Sequence, residues 1–160
     1  MPADSWKLPP GLNNVGSYQV SGQPFVSGSC LAPASASAGG SLVVRFPSLT
    51  KWFQIEPNQA MKSRNLRVAF SENGLHGKGG GGGAGEGYNF RIHLSSSLRG
   101  PIDMKTSELW FMSEDGSTFT FDVLAGLTNI PSSRVTADQR TINGVVEAGG
   151  PNWSGSVGVG

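Results

Sequence analysis

His76 and His93 are the only imidazoles in the 160 residues, and Cys30 carries the only thiol. Ser95, Ser96 and Ser97 follow His93, and Asp103 lies further on, so the residue types of a hydrolytic triad occur in one stretch. The G-x-S-x-G elbow that presents such a serine is missing, and serine is abundant throughout the chain, so composition explains the grouping. The two histidines are 17 residues apart, and neither has a second His, Cys or carboxylate at metal-ligand spacing. A single cysteine excludes an internal disulfide framework and a Cys-rich zinc site, and Cys30 reads as a small apolar residue or a tolerated exposed thiol. Glu114 and Asp115 are adjacent, whereas an acid/base pair needs carboxyls facing each other across roughly 5 to 9 Å, so both read as turn residues.

The run from Gly77 to Gly87 holds eight glycines with Lys78, Ala84 and Glu86, and phosphate cradles are built from such loops. A P-loop would need Gly where Glu72 stands and Ser or Thr where Gly79 stands. A dinucleotide loop must open a helix, but this run leads into the strand pattern that starts at Tyr88. It is expected to be a flexible loop between strands. No catalytic, cofactor-binding or metal residue is assigned, no cofactor is expected, and the chain is read as not an enzyme.

Twelve Lys and Arg against eleven Asp and Glu leave a net charge of +1, too little for the broad positive footprint of a nucleic-acid binder. Met61 to Arg67 is the densest basic stretch, read as a solvated loop and strand face, with an acidic subunit surface as its sharper alternative. The longest bulky apolar stretch, Leu109 to Met112, is far below the roughly 18 residues that span a bilayer, and Met1 to Pro10 holds no apolar signal core. Neither a membrane nor a secretory route is expected.

The elements that would position any site are strands. Gly and Pro contribute 24 and 10 residues, which is incompatible with a helical bundle. Tyr88, Phe90, Ile92 and Leu94 alternate with polar neighbours, as do Leu66, Val68 and Phe70, and Phe119, Phe121, Val123 and Ala125. Ser41 to Phe46, Lys51 to Ile55 and Glu108 to Met112 complete six strands, with Tyr18 to Val20 and Phe25 to Val26 as weaker ones. Ser113-Glu114-Asp115-Gly116 carries the Asp-Gly pair of a tight reversal, so Glu108 to Ala125 reads as a hairpin. The fold class is all-β: an antiparallel two-sheet β-sandwich over residues 21–131, with a closed barrel as the other way to bury such faces. Consecutive aromatics at Trp52-Phe53 and Trp110-Phe111 point to opposite faces, so some of these rings must pack under loops, arms, sugars or another chain.

Residues 1–20 and 132–160 lack alternation and read as an N-terminal arm and a C-terminal tail. Each carries one tryptophan, Trp6 with Leu8 nearby and Trp153 with Val157 and Val159, an unusual content for a purely disordered linker. These five residues are the expected assembly contacts; packing back on their own domain is the alternative.

Three segments, Phe46 to Ile55, Leu66 to Gly74 and Phe119-Thr-Phe-Asp-Val-Leu-Ala-Gly-Leu-Thr-Asn-Ile-Pro131, resemble small single jelly-roll proteins of double-stranded DNA virus particles. Those serve as minor capsid, vertex or decoration subunits. The likeness spans Val44 to Pro131, just over half the chain, and leaves the glycine run and the tail unmatched. It implies a virion structural protein, located in the particle, whose partners are copies of itself and other capsid proteins. A carbohydrate-binding, lectin-like sandwich is the alternative, with glycan as its ligand.

Overall fold

The computed structural model describes residues 22–35, 40–57, 65–76, 87–93, 100–132, 141–142 and 145–146. The elements are β1 (Gln23–Ala32), β2 (Leu42–Arg45), β3 (Ser48–Pro57), β4 (Asn65–Ala69), α1 (Glu72–His76), β5 (Asn89–His93), β6 (Glu108–Ser113) and β7 (Phe119–Pro131), followed by a small pair, β8 (Thr141–Ile142) and β9 (Val145–Val146). One sheet, A, has the order β1-β7-β3, and the other, B, the order β2-β6-β4-β5, with every pairing antiparallel. The protein is therefore the all-β, two-sheet antiparallel sandwich that the alternation predicts.

The pairs are nested. β4 pairs β5, Ile102 bridges to Phe53 of β3, β2 pairs β6, and β1 pairs β7. Each pair lies outside the previous one in sequence and successive pairs alternate between the sheets, which is the winding of a jelly roll with one strand reduced to the bridge at Ile102. Two backbone bonds, of 2.8 and 3.0 Å, make that bridge, and the Thr50 hydroxyl donates to the Met104 carbonyl (2.7 Å) and accepts from the Thr106 N–H (3.0 Å). The free side of β3 is covered in this way.

The core lies where inward residues of both sheets meet: Phe53, Phe121, Val123 and Ala125 from sheet A against Leu66, Val68, Leu109 and Phe111 from sheet B. Phe111 and Phe121 come within 4.5 Å, centroid to centroid. Phe70 and Phe90, expected inside, are only half-buried and pack tilted against each other 6.2 Å apart. Their place explains it, because β5 is the fourth strand of a sheet that faces only three.

The expected hairpin from Glu108 to Ala125 is not formed. β6 pairs β2 and β4 in sheet B while β7 pairs β1 and β3 in sheet A, so Glu114 to Thr118 cross from one sheet to the other. Asp-Gly permits a tight turn, but apolar side chains of both strands have to meet face to face across about 10 Å rather than edge to edge. The strand at Tyr18 to Val20, the arm 1–20 and most of the tail 132–160 lie outside the described residues.

Phe121→Ala should lower stability by about 3 to 5 kcal/mol, and Phe90→Ala by clearly less, read from chemical denaturation midpoints. Equal losses at the two positions would contradict this core.

Candidate functional site

The outer face of sheet B carries a cluster of charged side chains. The register places Arg67 beside Met112 on one neighbouring strand and Arg91 on the other, with Asn65 opposite His93 one row further. Glu114, at the start of the crossing segment, reaches back onto this face. Its carboxylate accepts hydrogen bonds from Arg91 Nε (2.5 Å), Asn65 Nδ2 (2.7 Å) and Arg67 Nη2 (3.4 Å). Burial raises the Glu114 pKa, but the bonds from Asn65 and Arg91, the Arg91 charge and the Arg67 bond outweigh it, so the carboxyl is held below its ordinary value. Glu114 is thus the hub that ties β4 and β5 to the crossing segment, and more than the turn residue it reads as.

Next to this cluster, α1 closes the same face. Ser71 caps it, its hydroxyl accepting the Gly74 N–H at 2.9 Å. Leu75 is fully buried with Ala69 and Met112, and Trp110 packs against them. The last carbonyls of the helix accept from side chains of the sheet, Gly74 from Asn89 (3.0 Å) and Leu75 from Arg67 (3.5 Å). Trp110 Nε1 donates to Glu108 (2.8 Å), which also pairs with Arg45 at 3.2 Å. The sequence signal for this helix is Ser71-Glu72, a cap followed by an acid, inside a chain otherwise written in strands.

The residues weighed for chemistry are distributed as follows. His93 is exposed on β5, His76 ends α1, and the described part of the basic stretch, Asn65 to Arg67, is engaged internally through Glu114. Cys30 is buried, with its sulfur 3.2 Å from the Ser27 hydroxyl, which settles its two readings in favour of the packed one. No group of three or more His, Cys, Asp or Glu able to hold a metal occurs among the described residues, and no helix there is long and apolar enough to cross a membrane. Ser95 to Ser97, residues 77–86 and the assembly residues Trp6, Leu8, Trp153, Val157 and Val159 lie outside the described residues.

The outer face of sheet A has a different character. Between Ser27 and Cys30 the register of β1 shifts, with Gly28 and Ser29 together opposing Asp122. Ser29 takes a positive φ of 57°, and its N–H donates to the Asp122 carboxylate at 2.6 Å. The extra residue re-phases the strand, so Cys30 and Ala32 enter the core while Leu31, like Val26 before the bulge, points outward. Val26 is 68% exposed and Leu31 55%. Leu124 lies between Val26 and Gln54 in the register, and Gly126 lies between Pro24 and the half-buried Trp52. Sequence reasoning missed Val26 and Leu31 because a bulge leaves no mark in strict alternation.

No protein-family model matches the chain, and no curated protein or solved structure is similar enough to it to count as a match.

Glu114→Gln should destabilise the fold by about 1 kcal/mol at neutral pH, the upper end for a partly exposed ion pair. Because the native pKa is lowered, the wild-type advantage is present above the unfolded value and is lost as the pH falls through the native one. Denaturation midpoints at stepped pH should therefore converge in acid; a gap independent of pH would remove Glu114 from this role.

Proposed function

We propose that the chain is a structural subunit of a double-stranded DNA virus particle, a minor capsid, vertex or decoration protein that works by symmetric self-assembly and through its two arms. The observation that carries the proposal is the outer face of sheet A, where Val26 and Leu31 stand exposed on a strand that borders the sheet. The two side chains stand on either side of the Ser29–Asp122 row, and exposed aliphatic groups on one sheet face are what a partner protein can cover. The jelly-roll winding and the three segments that resemble virion proteins add to this, although the same winding also hosts lectins. The partners are copies of itself and other capsid proteins, and the location is the virion.

One observation favours a second reading, a carbohydrate-binding module. Trp52, Gln54 and Glu56 follow one another on the outer side of β3, and the Gln54 amide donates to the Glu56 carboxylate. A ring with hydrogen-bonding neighbours is what a sugar stacks on. Mass in solution followed by a glycan array separates the two: a closed oligomer blind to glycans supports assembly, and a glycan-binding monomer supports the lectin.

Deleting residues 1–12 or 141–160 should leave a folded sandwich that assembles poorly. Trp6→Ala and Trp153→Ala should act more mildly, each weakening association by about 2 kcal/mol, the range of an interface anchor. Light scattering and incorporation into particles read the effect, and truncated chains that assemble as well as the full one would make the arms passive. Replacing His76 and His93 together by Ala should leave assembly unchanged.

A further inference from the structure

We infer that Asp122 is a latch that holds β1 in one of two registers against β7, and so decides whether Leu31 or Cys30 is presented on the outer face of sheet A. The consequence for that face rests on the assembly reading; the latch itself does not. The first half of β1 is fixed by Phe25, which packs against the core with its ring 5.0 Å from that of Phe46. Strict alternation from Phe25 would send Ser27, Ser29 and Leu31 inward. After the bulge the phase is the opposite one: Cys30 and Ala32 are buried opposite Phe121 and Phe119, while Leu31, opposite Thr120, is 55% exposed. Without the inserted residue, each place from Cys30 onward is taken by the residue before it: Ser29 opposite Phe121, Cys30 opposite Thr120 and Leu31 opposite Phe119.

Each register carries its own penalty. The observed one keeps an aliphatic side chain in water and holds Ser29 at a φ of 57°, the one left-handed non-glycine among the described residues. The other relieves both, but sets the Ser29 hydroxyl in the core in place of the Cys30 sulfur and forces Leu31 into the space of the fully buried Ala32. The anchors beyond the bulge do not choose between them, because they bind main chain. Ser113 N–H donates to the Pro33 carbonyl (2.9 Å) and Ser35 N–H to the Asp115 carbonyl (3.0 Å), and Ala32 and Ala34 offer the same groups one step along. What belongs to the bulge alone is the bond at Asp122. Its carboxylate accepts the Ser29 N–H at 2.6 Å, a short bond to a charged acceptor, from an N–H that a regular strand keeps in the plane of the sheet. On the core side the Cys30 sulfur spans the same bulge, 3.2 Å from the Ser27 hydroxyl and 3.4 Å from the Ser27 carbonyl. When the latch opens, thiol and leucine exchange faces and the strand stays paired.

The test uses the full chain and the rate at which dithiodipyridine labels Cys30 under native conditions, beside hydrogen exchange over residues 29–33, melting and light scattering. Asp122→Ala is expected to raise the labelling rate about tenfold or more, the loss of one hydrogen bond to a charged acceptor, with slow hydrogen exchange kept and no response to mild denaturant. Ser29→Gly, which takes the left-handed φ without strain, is expected to label more slowly than the wild type. Labelling and hydrogen exchange that rise together in Asp122→Ala mean a frayed strand and overturn the second register, as does a labelling rate that both variants leave unchanged. If Asp122→Ala does not fold, Ser29→Gly decides alone: slower labelling supports the latch and an unchanged rate overturns it. Light scattering tests the face separately. Faster labelling with weakened self-association joins the latch to the face, whereas faster labelling with unaltered self-association overturns that control. A wild-type chain that never self-associates removes the assembly reading while the labelling result still stands for the latch.

Discussion

Phe111 and Phe121 meet across the sandwich at 4.5 Å, and most of the architecture is arranged to make that contact possible. The two rings belong to consecutive strands, ten residues apart, yet they face each other from opposite sheets. Once β6 and β7 are separated in this way, each must find partners distant in sequence: β6 takes β2 and β4, and β7 takes β1 and β3. Nested pairing is then the solution that leaves no connection crossing another on the same edge. The innermost pair, β4 with β5, encloses α1, which lies at the fold of one long double strand wound over itself.

Inward positions were readable because each faces a single core: Leu66, Val68, Phe119, Phe121 and Val123 announce themselves by alternation and are all buried. Topology was not, and the Asp-Gly reversal shows why. A short polar segment serves a hairpin and a sheet-to-sheet crossing equally well, and only the demand of the facing strands chooses between them. β6 was readable as a strand but not as one covered on both sides, because Met112 is buried and Trp110 half-buried by a helix that one cap motif signals. Val26 and Leu31 were hidden for a different reason. A single inserted residue inverts the phase of a strand, and no residue type marks it apart from the tolerance of Gly28 and Ser29 for the bend.

The charged groups show how local demand limits what the surface offers. Two guanidiniums and an amide converge on Glu114, so that carboxylate is neither a free base nor a free ligand, and Arg67 is spent within its own molecule. Arg45 and Glu108 do the same at the other end of sheet B. These pairs hold strands and the crossing segment in register, which suits a rigid building unit better than a surface that must attract charged partners from solution.

Sheet A has the complementary problem. The segment from Ile102 to Thr106 latches onto β3 and covers that edge, while β1 borders the sheet with a bulge in its middle. A bulge twists an edge strand and discourages a second sheet from adding to it in register. The same bulge turns an aliphatic side chain out to water, a disposition with no benefit to the isolated domain. Protection of the edge and exposure of the face thus have one cause, the residue inserted between Ser27 and Cys30, which opposes strand addition at the edge and turns Leu31 out on the face.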